Sequence, residues 1–118
     1  SDLQGQIGCQ ELEVLDLRNA TRRRNAERIQ AGLDGVPGLQ LQRYNRKATN
    51  TFNAVVARVA DAATLARALL RRGVDTRMDY MQWYGAKSFE ETMIYLPNHP
   101  GMTPADVGRV VRAVRQCI

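Results

Sequence analysis

Hydrophobic residues recur at helical spacing over the first quarter of the chain. Ala26, Ile29 and Leu33 form one narrow apolar stripe, as expected of a helix that lies on a sheet. The segment 34–38 follows, and its glycines and proline cannot continue a helix. The pattern therefore predicts a long helix over residues 3–33.

The first half of this helix is apolar on two sides. Leu12 and Leu15 point one way, whereas Ile7, Val14 and Leu17 point nearly the opposite way, since a two-residue step turns a helix by about 200°. A helix of this kind needs two packing partners. We expect this short chain to supply one of them, and a missing domain or a second subunit to supply the other.

Four further stretches have the patterns of strands. Residues 39–44 alternate apolar and polar side chains, and a polar link over 45–50 leads to the apolar run 51–59, so the two are expected to form a hairpin. Residues 74–80 alternate again, with Asp75, Arg77 and Asp79 on the wet face, and 92–96 form a short strand.

Two shorter helices carry start signals. Asp61 is the expected N-cap of a helix that Gly73 ends. Thr103 is the expected N-cap of the last helix, over 104–116, with Pro104 at its first position and Asp106 completing a capping-box pattern. The valines of this helix recur at helical spacing: Val107, Val110, Val111 and Val114.

The element order is therefore α-β-β-α-β-β-α. It predicts an α/β (α+β) fold, a two-layer sandwich in which helices cover a small, largely antiparallel sheet. At 118 residues the chain is expected to form one domain, residues 1–118.

Composition excludes several classes of protein. The hydrophobic share of 44% and charged share of 25% are those of ordinary globular proteins, and no apolar run is long enough to span a bilayer. The polar N-terminus has no signal-peptide pattern, so the expected location is the cytoplasm, with no membrane partner. Cys9 and Cys117 are expected to be free thiols, and the lone histidine, His99, gives no metal site.

The net charge of +5 raises the question of nucleic acid binding. The densest basic cluster is Arg22, Arg23, Arg24 and Arg28. Glu27 lies within helical reach of this cluster and no aromatic residues interleave with it, so it is interpreted as a solvated helix face. We therefore expect no nucleic acid partner, and a basic nucleic acid binder is the third-ranked alternative.

Four blocks carry a family resemblance: 2–8 followed by Leu12, Leu15 and Asp16, the arginine-rich run 22–33, the segment 73–80, and the segment 96–107. In this order they resemble the C-terminal domain of the DegT-type sugar aminotransferases, fold-type-I enzymes that use pyridoxal phosphate (PLP). The resemblance departs from the family at Asp79, where histidine is common, and in the shortened stretch after Tyr80.

The resemblance implies a parent enzyme that moves an amino group from an amino acid, commonly glutamate, to a nucleotide-linked keto sugar. It places the Schiff-base lysine and the rest of the cofactor site in a large PLP domain that would precede Ser1. Lys47 and Lys87 are both expected to be solvated. No PLP is therefore expected on this chain alone, and no catalytic, cofactor-binding or metal-binding residue in it.

Three residues are candidates for substrate contact. Arg77 and Tyr80 lie on the strand that would border the cleft, and His99 lies in a turn. The structural alternatives remain open: Arg77 pairs with Asp75 or Asp79, and His99 only shapes the turn.

The expected partners follow from the same resemblance. They are the large PLP domain or a second subunit, reached through the first helix, with a homodimer as the assembly and a nucleotide-sugar as substrate. The alternative is a stand-alone α/β interaction or regulatory module that uses the 3–33 helix to bind a partner.

Overall fold

The structure is a computed structural model that describes residues 1–45, 47–78 and 91–118. The elements in these ranges are α1 (Asp2–Leu33), β1 (Gln40–Leu41), β2 (Ala54–Arg58), α2 (Ala62–Leu70), β3 (Met93–Pro97) and α3 (Pro104–Cys117). The three predicted helices are confirmed. None of the described helices combines the length and the apolar character needed to cross a membrane.

The sheet is antiparallel, in the order β1-β2-β3. Val55 pairs with Leu96, and Ala57 pairs with Ile94. All four side chains are buried, which places them on the face that packs against the helices. α1 contacts β2 and α3, and α2 contacts β3 and α3. Helices therefore cover one face of a small antiparallel sheet, which confirms the predicted fold class.

α1 and α3 approach each other closely at Gly32. A Cβ atom at this position would lie 2.8 Å from Cγ1 of Val111. Arg115 adds a second link, because its Nε donates a hydrogen bond to the Gly32 carbonyl at 2.7 Å. The absence of a side chain at residue 32 is therefore what allows these two helices to pack at this distance.

The first two strands are shorter than predicted. β2 begins at Ala54 and not at residue 51, because Phe52 has a positive φ of 50° that interrupts the extended backbone. The Asn50 side chain supports this turn, since its Oδ1 accepts a hydrogen bond from the Phe52 N–H at 2.8 Å. β1 covers only Gln40–Leu41 of the expected 39–44.

The third predicted strand, over residues 74–80, is not found in its described part, residues 74–78. Of this stretch, the described part pairs with the sheet only through a single bridge between Arg77 and Tyr95. The Val74 N–H donates to the Leu69 carbonyl at 3.0 Å, so this end of the segment is bonded to α2 and not to β3. Asp79 and Tyr80 lie outside the described residues.

The prediction for the packing of the first half of α1 is also corrected. We expected the chain to cover one of its two apolar sides, and the described residues cover neither. Five large side chains are exposed: Leu3 (66%), Ile7 (51%), Leu12 (69%), Leu15 (42%) and Leu17 (66%). Burial on α1 begins only in its second half, at Asn25, Ala26, Ile29 and Leu33. The first half therefore projects beyond the domain as an exposed helix with apolar side chains on two sides.

Candidate functional site

An open cleft of about 450 Å³ lies where the second half of α1 meets the end of β3 and the 75–77 segment. Its lining combines two guanidinium groups, one carboxylate, one imidazole and several uncharged polar side chains. The lining residues are Arg22, Asn53, Ala54, Asp75, Thr76, Arg77, Tyr95, Leu96, Pro97, Asn98 and His99.

Arg77 reaches this cleft because its backbone is held to the sheet. Its N–H donates to the Tyr95 carbonyl at 3.2 Å, and the Tyr95 N–H donates to the Arg77 carbonyl at 2.9 Å. The side chain is exposed, as predicted for the wet face of this segment. The bridge therefore fixes the backbone of Arg77, whose exposed side chain belongs to a residue that lines the cleft.

His99 lines the same cleft and lies on the turn that follows β3. Its side chain is exposed, and its carbonyl accepts hydrogen bonds from the Met102 N–H at 3.1 Å and from Nδ2 of Asn25 at 3.4 Å. The structure thus brings together two of the three predicted site residues, Arg77 and His99. The third, Tyr80, lies outside the described residues.

Asn98 is the residue that joins this turn to the rest of the fold. It is 5% exposed, and its Nδ2 donates to the carbonyls of Arg22, at 3.0 Å, and Phe52, at 2.7 Å. The sequence analysis missed this role. The signal was present, because Asn98 continues the inward alternation of Ile94 and Leu96 and is therefore expected to point into the core.

Arg22 was also missed, because its neighbours in sequence are solvated arginines. In the structure it is half-buried and lines the cleft, whereas Arg24 is exposed and donates from Nη2 to Oγ1 of Thr21 at 3.0 Å. The helical period was the available signal, because Arg22 lies four and seven residues before Ala26 and Ile29 of the buried stripe, whereas Arg24 lies on the opposite face. The contact between α1 and the turn after β3 then sets the position of Arg22 at the cleft.

The cleft also gathers unpartnered polar atoms. Three buried side-chain atoms have no hydrogen-bond partner within the described ranges, namely Nε of Arg22, Oγ1 of Thr76 and Oδ1 of Asn98. All three residues line this one cleft. Buried polar groups are normally hydrogen-bonded, so this group of unpartnered atoms makes the cleft a candidate binding site.

A neighbouring cleft of about 310 Å³ shares His99 and Asp75 and adds Asp106 and Arg109. The pKa of Asp106 is lowered, first by the hydrogen bond from the Thr103 hydroxyl and then by the Thr103 backbone N–H. These two donors lie 2.6 and 2.8 Å from Oδ2 of Asp106. Asp106 is thus an ionised helix-capping group.

Lys47 is the one lysine within the described residues. Lys47 is exposed, and its backbone N–H donates to Oδ1 of Asn45 at 2.9 Å in a surface turn, away from the clefts described above. This setting does not fit a Schiff-base lysine, which needs a desolvated pocket. Lys87 lies outside the described residues. Within the described part of the chain, no group of three or more potential metal ligands occurs, and Cys9 and Cys117 are free.

Comparison with known families accounts for this combination of fold and cleft. Residues 1–115 match the profile of the DegT/DnrJ/EryC1/StrS aminotransferase family. The chain therefore belongs to the DegT/DnrJ/EryC1/StrS aminotransferase family. A comparison with curated protein sequences gave no match.

Solved structures agree with this family. The aminotransferase TlmJ from Streptoalloteichus hindustanus is 29% identical, with a TM-score of 0.81 over 94% of this chain and 34% of TlmJ. The sugar aminotransferase CalS13 from Micromonospora echinospora is 21% identical, with a TM-score of 0.84 over 95% of this chain and 34% of CalS13.

Spr1654 from Streptococcus pneumoniae, in its PLP form, is 15% identical, with a TM-score of 0.84 over 99% of this chain and 35% of Spr1654. At their identities, CalS13 and Spr1654 support the fold alone. The chain spans about a third of the length of the solved structures it matches. The family implies PLP as the cofactor of a whole enzyme of this kind, and Lys47 does not fit its attachment.

Proposed function

We propose that this chain is the C-terminal domain of a PLP-dependent sugar aminotransferase and that it forms one wall of the substrate cleft. The observation that carries the proposal is the meeting of Arg77 and His99 in one cleft, in a chain that matches this family over residues 1–115. The residues that hold PLP would belong to a large domain of the same enzyme. Alone, the chain would not be catalytic.

The substrate proposed for the whole enzyme is a nucleotide-linked keto sugar, which would receive an amino group from an amino acid. Such a substrate is anionic, and a guanidinium group binds phosphate or carboxylate oxygens in pairs. Arg77 is exposed at the cleft and can present its guanidinium to such a group. The imidazole of His99 adds a further hydrogen-bonding group to the same cleft. Tyr80 remains a sequence-based prediction.

The exposed apolar side chains of α1 are the basis for proposing its partners. Exposed apolar side chains occur on both sides of its first half, including Leu12 on one side and Leu17 on the other. A helix with two uncovered apolar sides can be buried between two neighbours. We assign one side to the large PLP domain and the other to a second subunit, in a homodimer.

A kinetic test separates this function from a structural role of Arg77. In the intact enzyme, Arg77→Lys is expected to raise KM for the nucleotide-sugar about tenfold and Arg77→Ala to raise it further, because lysine cannot form a paired contact. The fold should be unaffected, since exposed residues contribute little to stability. The measurements are steady-state kinetics and thermal unfolding.

Arg71→Lys is the matched control, because Arg71 is an exposed arginine that does not line the cleft. It should leave KM unchanged. If both Arg77 variants also leave KM unchanged, the residue has no part in substrate binding. The chain would then fit better the alternative function, an interaction module that acts through α1.

A further inference from the structure

Arg22 also lines the cleft, and the proposed function gives it no role. It comes from the second half of α1, where it is half-buried, and its Nε is buried without a hydrogen-bond partner in the described part of the chain. A desolvated guanidinium donor without an acceptor is unfavourable, and the hydrogen bond that satisfies it is correspondingly strong. The residue therefore has unused capacity to bind an anion.

Two side-chain amides fix Arg22 relative to the turn that carries His99. Nδ2 of Asn98 donates to the Arg22 carbonyl at 3.0 Å, and Nδ2 of Asn25 donates to the His99 carbonyl at 3.4 Å. Both amides belong to residues that are at least 95% buried, since Asn25 is 3% exposed and Asn98 is 5% exposed. These bonds run in opposite directions between α1 and the turn. They hold the backbone of Arg22 at the cleft whatever the exposed first half of α1 contacts.

The electrostatics of the cleft favour an anion. Among the described residues that line it, Arg22 and Arg77 contribute two guanidinium groups and Asp75 contributes the one carboxylate. The Nε edge of a guanidinium carries two parallel N–H groups, which match two oxygens of one phosphoryl group. Two guanidinium groups in one cleft favour a tetrahedral oxyanion with several oxygens over a planar carboxylate, which one guanidinium saturates.

We infer that Arg22 and Arg77 together bind a phosphoryl group of the substrate, with Arg22 turning its Nε edge into the cleft to do so. This inference rests on the proposed function and deepens it. It places the phosphoryl part of the nucleotide-linked sugar between α1 and the 75–77 segment. The carboxylate of Asp75 repels the anion and lowers the affinity of the cleft for it.

The test uses the 118-residue chain and pyrophosphate as the probe, at low ionic strength. Nε–Hε correlation spectra, recorded by NMR with ¹⁵N-labelled protein, follow each arginine separately. Pyrophosphate is expected to shift the Arg22 and Arg77 signals with one shared dissociation constant. Arg22→Gln and Arg77→Gln should each weaken binding about tenfold, because each removes a charged hydrogen-bond pair.

Arg24→Gln is the matched control, since it removes the same charge from the same helix at a position outside the cleft. It should weaken binding by less than about twofold. Asp75→Asn should strengthen binding severalfold, because it removes the opposing charge. Arg22→Lys keeps the charge without the paired donors, so it should weaken binding almost as much as Arg22→Gln. Backbone spectra verify that each variant is folded.

The inference is wrong if pyrophosphate leaves the Arg22 signal unshifted in the folded chain, or if Arg24→Gln weakens binding as much as Arg22→Gln. Glutamate, added as a carboxylate probe, should bind at least about tenfold more weakly than pyrophosphate. Equal affinity would instead assign the arginine pair to the amino donor. The proposed function fails separately, through unchanged KM values in the Arg77 variants of the intact enzyme.

Discussion

Neighbouring residues in the turn after β3 have opposite roles. Asn98 is buried and holds the turn against α1 and the chain before β2, whereas His99 is exposed at the cleft. The two side chains are adjacent in sequence, and the alternation of a strand places them on opposite sides of the backbone. A buried amide thus positions an exposed imidazole.

We predict that Asn98→Ala destabilises the chain by about 2 kcal/mol, because the buried Phe52 carbonyl loses its hydrogen-bond donor. Urea unfolding followed by circular dichroism measures this loss. Asn53→Ala is the control, since Asn53 lines the same cleft but is exposed, and it should change stability by less than about 0.5 kcal/mol. Equal effects would show that the Asn98 amide does not hold the turn.

The lowered pKa of Asp106 gives a prediction of pH dependence. The Thr103 hydroxyl and backbone N–H favour the ionised carboxylate in the folded state. Its folded pKa therefore lies below its unfolded pKa, and the stabilising contribution is present above the unfolded pKa. It is lost as the pH falls through the folded pKa, in the range below about pH 4.

We expect Thr103→Val to raise the pKa of Asp106 towards its ordinary value, as measured by carboxyl ¹³C NMR titration. Thr64→Val is a matched control, because Thr64 is the main cause of the lowered pKa of Asp61. It should raise the pKa of Asp61 and leave that of Asp106 in place. An unchanged Asp106 pKa in Thr103→Val would contradict the role of the hydroxyl.

At the level of the helices, the contact between α1 and α3 depends on the absence of a side chain at Gly32. We predict that Gly32→Ala destabilises the fold by about 1–3 kcal/mol, because its Cβ would lie 2.8 and 2.9 Å from the two methyl carbons of Val111. The gain in helix propensity of about 1 kcal/mol offsets only part of the clash. Thermal or urea unfolding measures the balance.

Gly8→Ala is the same substitution on the same helix, at a site where nothing lies within 4 Å of the added Cβ. It should stabilise the helix by about 0.5–1 kcal/mol. Opposite signs for the two variants are therefore the expected result. Stabilisation by both would mean that α1 and α3 separate easily, and the close packing at Gly32 would not be what joins them.

At the scale of the whole molecule, α1 extends well beyond the domain that its second half completes. The overall extents are 48 × 34 × 34 Å, and the first half of α1 carries exposed leucines on both sides. Its neighbours in the intact enzyme are expected to cover these side chains. In the isolated 118-residue chain, the same surface is expected to cause self-association.

We predict that the chain associates with increasing concentration in sedimentation velocity and that Leu12→Glu and Leu17→Glu each weaken this association at least severalfold. Gln10→Glu adds the same charge on the same helix without removing an apolar side chain, and it should have little effect. The prediction fails if the chain stays monomeric at high concentration while hydrogen exchange shows residues 7–17 fully protected. Such protection would mean that the chain itself covers the helix.

The sequence by itself determined the helices and their boundaries. Thr103 and Asp106 bond to each other across three residues, and Ala26, Ile29 and Leu33 repeat at the helical period, so these signals are local and survive any tertiary context. It also determined the fold class and the family resemblance, and it selected Arg77 and His99, which the structure brings to one cleft.

Tertiary contacts set the ends of the strands, and they also set the position of Arg22 relative to the turn after β3. Phe52 leaves the extended conformation although its neighbours have a strand pattern, and the 74–78 segment meets the sheet only at Arg77. The Arg22 carbonyl accepts a hydrogen bond from Asn98, a residue 76 positions further along the chain. Such contacts depend on how distant segments pack, and packing between distant segments leaves no periodic signal in the local sequence.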